Sequence, residues 1–147
     1  MSQAHSSRAL SIRSCDDQAM ARELPERPWH LLHGAHAESV AARHLESHGL
    51  QIIARNVRYR VGEIDLVCLD RQVLVIVEVR QRRNDDFGGA AGSVTAWKQR
   101  KLIRATQCFL QRAPQWSHLP VRFDVIALSG LPHRQPVITW LKAAFML

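Results

Sequence analysis

Apolar residues recur at helical spacing over residues 35–48, where Ala37, Ala41 and Leu45 fall on one face and Gly49 supplies a stop. The period then changes. Three runs rich in Ile, Val and Leu, over residues 50–60, 63–69 and 73–80, each predict a strand, with Gly62 and Asp70-Arg71-Gln72 as turns. Residues 82–92 break the pattern with polar side chains and three glycines, which predicts a loop. Ser93 is placed to cap a second helix running to about Arg112 and ended by Pro114. Residues 121–128 and 137–141 predict two further strands. Residues 1–30 mix Ser, Arg, Gln, Ala and Asp without a sustained period. They predict a flexible extension, leaving a single domain over residues 31–147. The order α-β-β-β-α-β-β places the chain in the α/β class, a mixed central sheet flanked by helices.

Composition narrows the partners. With 147 residues, 46% hydrophobic and 22% charged, the chain suits one globular domain and is too apolar to be wholly disordered. Twenty Lys and Arg stand against 13 Asp and Glu, for a net charge of +7. The excess is local: residues 55–104 hold nine Arg and two Lys against six acids, and residues 105–147 hold four basic groups against one acid. Such a field attracts polyanions. Arg outnumbers Lys 17 to 3, and the guanidinium fork suits bidentate phosphate contact. No apolar run approaches the roughly 18 residues of a membrane span, and no start resembles a signal peptide, so no membrane partner is expected. Cys15, Cys68 and Cys108 are odd in number, far apart and without a CxxC pair, which argues against a disulfide framework and for a reducing, cytoplasmic setting.

The informative residues are acids inside apolar strands. Alternation puts Glu63, Asp65 and Val67 on one face and Ile64, Leu66 and Cys68 on the other. It likewise puts Ile76, Glu78 and Arg80 opposite Val75, Val77 and Val79. An ionised carboxylate in an apolar strand is costly unless paired or metal-bound. Two readings stay open: an ion pair between Glu78 and Arg80, or Asp65 and Glu78 as the hard oxygen ligands that Mg²⁺ or Mn²⁺ prefers. Glu38, at the edge of the first helix's apolar stripe, is an exposed helix acid or reaches over the sheet to the same place. Lys98 leads the stripe Lys98, Leu102, Ala105 and Phe109, and either snorkels to water or projects toward a phosphate.

Together these residues resemble the bacterial YraN-like family, related to archaeal Holliday-junction resolvases and restriction endonucleases of the PD-(D/E)xK nuclease fold. The resemblance rests on Gly34-Ala35-His36-Ala37-Glu38, Arg55-Asn56, Gly62-Glu63-Ile64-Asp65, Val77-Glu78-Val79-Arg80, Lys98 and Arg122-Phe123-Asp124, in order over residues 34–128. The set is specific; each fragment alone is not. It implies a restriction-endonuclease-like α-β-β-β-α-β core and a metal-dependent endonuclease acting on DNA before RNA, branched or structured forms included. A DNA- or RNA-binding module that keeps the fold and cleaves nothing is the alternative. By position, Asp65 and Glu78 match the metal-binding carboxylates for Mg²⁺ or Mn²⁺ and Glu38 the supporting acid. Arg80 and Lys98 would contact the phosphate, and Arg55, Arg58, Arg82, Arg83, Arg100, Lys101 and Arg104 are the candidate nucleic-acid contacts. One departure is plain: Arg80 stands where the family has lysine. Its guanidinium stays charged, so it holds phosphate but cannot act as a base. Oligomeric state is left open, a dimer included.

Other signals weigh less. His30, His33 and His36, and His44 with His48, lack the acid or Cys needed to complete a zinc set. Trp97 beside Val94 reads as packing before base stacking, Asp124 as a structural partner of Arg122, and Arg82-Arg83-Asn84 as a solvated loop. No Walker loop, GxGxxG or GxSxG is present.

Overall fold

A parallel pair of strands needs a long crossover between them, and here a helix supplies it. The computed structural model describes residues 29–82, 94–130 and 135–146. The elements are α1 (Trp29–Ser47), β1 (Gln51–Tyr59), β2 (Gly62–Asp70), β3 (Val73–Arg82), α2 (Ala96–Arg112), a short 3-10 turn (Pro114–Trp116), β4 (Val121–Ser129) and β5 (Val137–Phe145). They form one five-stranded sheet in the order β1-β2-β3-β4-β5. Only β3 and β4 run parallel, registered from Leu74↔Val121 to Arg82↔Ser129, with α2 as the connection; the other pairs are antiparallel. This is the mixed α/β architecture expected. No helix among the described residues is long and apolar enough to cross a membrane.

The boundaries differ where local signals mislead. α1 begins at Trp29, directly after Pro28, and runs through Gly34. A helical glycine costs only about 1 kcal/mol against alanine, so it did not stop the helix. Trp29 and His30 of the expected extension are thus helical, while residues 1–28 lie outside the described residues. The cap of α2 is Thr95, whose hydroxyl accepts the Lys98 N–H at 3.3 Å. Ser93, the expected cap, lies outside the described residues.

Two apolar layers hold the helices to opposite faces of the sheet. On one, Ala37, Ala41, Ala42 and Leu45 of α1 cover Leu66, Cys68, Val75, Val77, Ile126 and Leu128. On the other, Leu102, Ala105 and Phe109 of α2 cover Ala54, Val57, Ile64, Val67, Leu74, Ile76 and Phe123. These lists correct the expected faces of β2. Strict alternation grouped Ile64 with Leu66 and Cys68, but Ile64 and Val67 share the α2 layer while Leu66 and Cys68 belong to the α1 layer. β1 changes phase at the same level, with Ala54 and Val57 both under α2. The cause is Asn56, between the pairs Arg55↔Leu66 and Val57↔Ile64, whose φ of 51° is the left-handed conformation Asn tolerates. Asp65 faces it across the two strands.

α2 approaches the β1–β2 turn so closely that only glycine fits. A methyl carbon added at Gly62 would sit 2.8 Å from the Lys101 carbonyl oxygen and 3.2 Å from its carbonyl carbon, both backbone atoms. Gly62→Ala is therefore expected to push α2 off the hairpin and destabilise the protein by about 1–3 kcal/mol. A fall in the urea midpoint of that order checks it; an unchanged midpoint would mean the helix yields without cost.

Candidate functional site

The ladder between β2 and β3 runs from Asp70↔Val73 to Leu66↔Val77 and ends there. At the next step the Asp65 carboxylate takes the strand's place, its Oδ2 accepting the Val79 N–H at 2.7 Å. The strands part at this point, and the acids stand where they part. Burial pushes the Asp65 carboxyl up to about 7; the charges of Glu78, Glu38 and Glu63 push the same way, and the Val79 hydrogen bond pulls against them. Glu78, with its side chain only 17% exposed, lies 3.5 Å from Lys98 Nζ and 3.7 Å from Arg80 Nε. The ion pair between Glu78 and Arg80, one of the two readings left open, is thus present and shared with Lys98. The Nε and Nη2 atoms of Arg80 are buried and make no hydrogen bond among the described residues, so the guanidinium has donors left for an oxyanion.

Glu38 reaches the same region from α1. Its carboxyl is raised chiefly by burial and by Glu63, against a hydrogen bond from the Asn56 side chain and the charges of Arg58 and Arg55. The helix acid therefore leans over the β1–β2 hairpin, as its place on the stripe edge allowed. Among the described residues no three His, Cys, Asp or Glu side chains converge tightly enough to form a ready-made metal cage. His44 and His48 instead lie 4.3 Å apart with their rings tilted at 46°, and both meet Trp140 edge-on.

Beside the acids opens a cleft of about 350 Å³ between the hairpin end and the first turns of α2. Glu78 and Glu63 line it together with Arg58, Arg60, Lys98 and Lys101, and Tyr59, Gly62, Trp97 and Leu102 complete its walls. Of the expected nucleic-acid contacts, Arg58 and Lys101 stand in the cleft. Arg55 is exposed on β1, and Arg100 and Arg104 are exposed on α2 outside it. Arg82 ends β3, and Arg83 lies outside the described residues. Tyr59 and Arg60 escaped the sequence reading; the signal was the run Arg58-Tyr59-Arg60 at the end of a strand, a basic-aromatic patch beside a turn. Trp97 corrects its expectation. Val94 is buried, but Trp97 is 56% exposed, because the packed stripe of α2 starts at Leu102 and leaves the first turn over the cleft.

Asp124 is structural, as expected. Fully buried, it accepts Arg122 Nε at 2.9 Å and the Ala143 N–H at 2.9 Å on Oδ1, and Arg122 Nη2 at 3.0 Å and Trp140 Nε1 at 3.0 Å on Oδ2. Cys68 and Cys108 are free, and burial followed by the Asp124 charge pushes the Cys68 thiol up to about 12, so it is unreactive.

The profile of a family described as "Uncharacterised protein family UPF0102" matches residues 37–128. The chain is 47% identical over 112 residues to a UPF0102 protein of Pseudomonas fluorescens, covering 76% of this chain and 91% of the relative. It is 48% identical to one of Pseudomonas entomophila, with the same coverage of 76% and 91%. It is 50% identical to one of Xanthomonas oryzae pv. oryzae, covering 76% of this chain and 89% of the relative. The acids and cations of the site all fall inside the matched span, and the chain belongs to the UPF0102 family, the YraN-like group its motifs resemble.

Proposed function

We propose that this protein is a cytoplasmic, divalent-metal-dependent endonuclease that hydrolyses phosphodiester bonds of nucleic acid, DNA before RNA. The observation that carries the reading is the pairing of Asp65 with Glu78 at the edge of a basic cleft: a carboxyl pushed up to about 7 chiefly by its burial, with a neighbouring carboxylate adding to the effect. That donor set fits Mg²⁺ or Mn²⁺. Mg²⁺ keeps several waters and takes only one or two carboxylates beside phosphate oxygens, so the absence of a three-acid cage among the described residues is no obstacle. Held there, a divalent ion would supply polarisation of the phosphodiester and a water of lowered pKa. Asp65, whose Oδ2 accepts the Val79 N–H, would hold such an ion through Oδ1, and Glu78 would hold it through its carboxylate, with Lys98 beside it to meet a phosphate. Glu38, tied to Asn56, supports the site from the side. Arg80 places its free donors on a non-bridging oxygen and moves no proton. Arg58, Arg60, Lys98 and Lys101 grip neighbouring phosphates.

The test is cleavage of labelled four-way, flapped and fully paired oligonucleotides with Mg²⁺ or Mn²⁺ and with chelator, for wild type and Glu78→Gln. Metal-dependent nicking by wild type alone supports the reading. A binding module that cleaves nothing is favoured by one observation, Arg80 in the lysine position and beside Glu78. It predicts equal binding by both proteins and no nicking with either ion. On both readings affinity should drop with salt, with a log–log slope of about −3 to −4 if four cations each meet a phosphate. A flat affinity would remove the electrostatic basis of both.

A further inference from the structure

Trp97 is the one large aromatic among the described residues left exposed at the mouth of the cleft, 56% open to solvent. It sits on the first turn of α2, next to Lys98, whose ammonium touches Glu78. Lys101, one turn on, places its ammonium 3.8 Å from the centre of the indole ring. A cation over one face fixes the ring and leaves the other face for a flat partner. The surroundings are wrong for an apolar protein partner, because Arg58, Arg60, Lys98 and Lys101 line the same cleft as the ring. A flat group beside a polyanion is a nucleobase with its phosphate. A paired base in a duplex shows only its edge, so a ring in this position gains a stacking partner only from a base that is unpaired or swung out.

Resting on the nucleic-acid reading of the cleft, we infer that Trp97 is a base-stacking residue that makes the site select strands carrying unpaired nucleotides beside the bound phosphate. Lys98 and Lys101 hold the phosphates on either side of the stacked base, and the Glu78 end of the cleft receives the backbone next to it. Single strands, flaps and branch points are then the preferred ligands, and continuous duplex is held by charge alone.

The experiment measures binding of labelled oligothymidine, a flapped duplex and a blunt duplex by fluorescence anisotropy, with chelator present so that nothing is cut. Wild type, Trp97→Ala and Trp97→Phe are compared. Trp97→Ala should weaken oligothymidine and flap binding roughly tenfold or more and leave the blunt duplex unchanged. Trp97→Phe should keep most of the affinity while losing the quenching of indole emission that oligothymidine causes in wild type. Thermal melts verify that the variants remain folded, as expected for an exposed side chain. Equal loss for all three ligands, or none, would overturn the assignment and leave the ring as a protein-contact residue with the basic cleft intact. If no ligand binds wild type at all, the nucleic-acid reading falls and this inference with it.

Discussion

In the presence of chelator the wild-type protein is expected to lose stability through this group as the pH rises from 3.8 to about 7, and Asp65→Asn is expected to lose none of that share. The folded protein holds the Asp65 proton to about 7, whereas the unfolded chain releases it near 3.8. Between those values the folded state binds more protons, so raising the pH favours unfolding; below both values the group contributes no slope. Burial is the main cause, with Glu78, Glu38 and Glu63 adding repulsion and the Val79 hydrogen bond opposing it. Asparagine keeps an oxygen for the Val79 N–H and carries no charge, so the variant should overtake wild type above neutral pH and match it near pH 4. Urea titrations of both proteins across this range make the comparison. Parallel curves would show that Asp65 titrates as an ordinary carboxylate and that the acids do not interact. Mg²⁺ added at high pH should restore stability to wild type and not to the variant.

Asp124→Asn is expected to destabilise the protein by about 3–5 kcal/mol, the range for breaking a buried pair from one side. The carboxylate receives four donors on two oxygens, from Arg122 twice, Trp140 and Ala143. An amide has one oxygen, and its NH₂ would face two of those donors. Arg122 keeps Asp70 at 3.1 Å, which places the loss toward the lower end. A double change, Asp124→Asn with Arg122→Met, should lose less than the sum of the single changes. Strict additivity in urea melts would mean the guanidinium is not what the carboxylate neutralises.

The acids of the site were legible because a charge inside an apolar run is costly and requires a partner. Glu78 among valines and Asp65 between Ile64 and Leu66 announced themselves, and Lys98 did so by standing at the head of the α2 stripe. The strand count and the mixed sheet with helices against it followed from spacing alone. What stayed hidden depends on distance in space. The phase change at Asn56 and Asp65 turns on one left-handed residue that no periodicity marks, so the faces of β2 came out wrong. The exposure of Trp97 follows from where the packed part of α2 begins, and Arg60 enters the cleft only because the hairpin end meets that helix. Arg100 and Arg104 were named with Lys101 as candidate nucleic-acid contacts, yet the rotation fixed by Leu102, Ala105 and Phe109 carries them outside the cleft.

The meander β1-β2-β3 is made of neighbours in sequence, while β3 and β4 pair only after the whole of α2 has been laid across the sheet. Local pairings close short loops and form early; the crossover closes a long one and forms late. Asp65 and Glu78 are therefore brought side by side by the early hairpins, and Lys98 reaches Glu78 only with the late helix. The assembling chain holds its acids together with Arg80 as their counter-charge before Lys98 arrives. Substitutions in β2 and β3 should accordingly slow folding, while those in α2 and β5 chiefly speed unfolding, and the two limbs of a urea chevron would separate them.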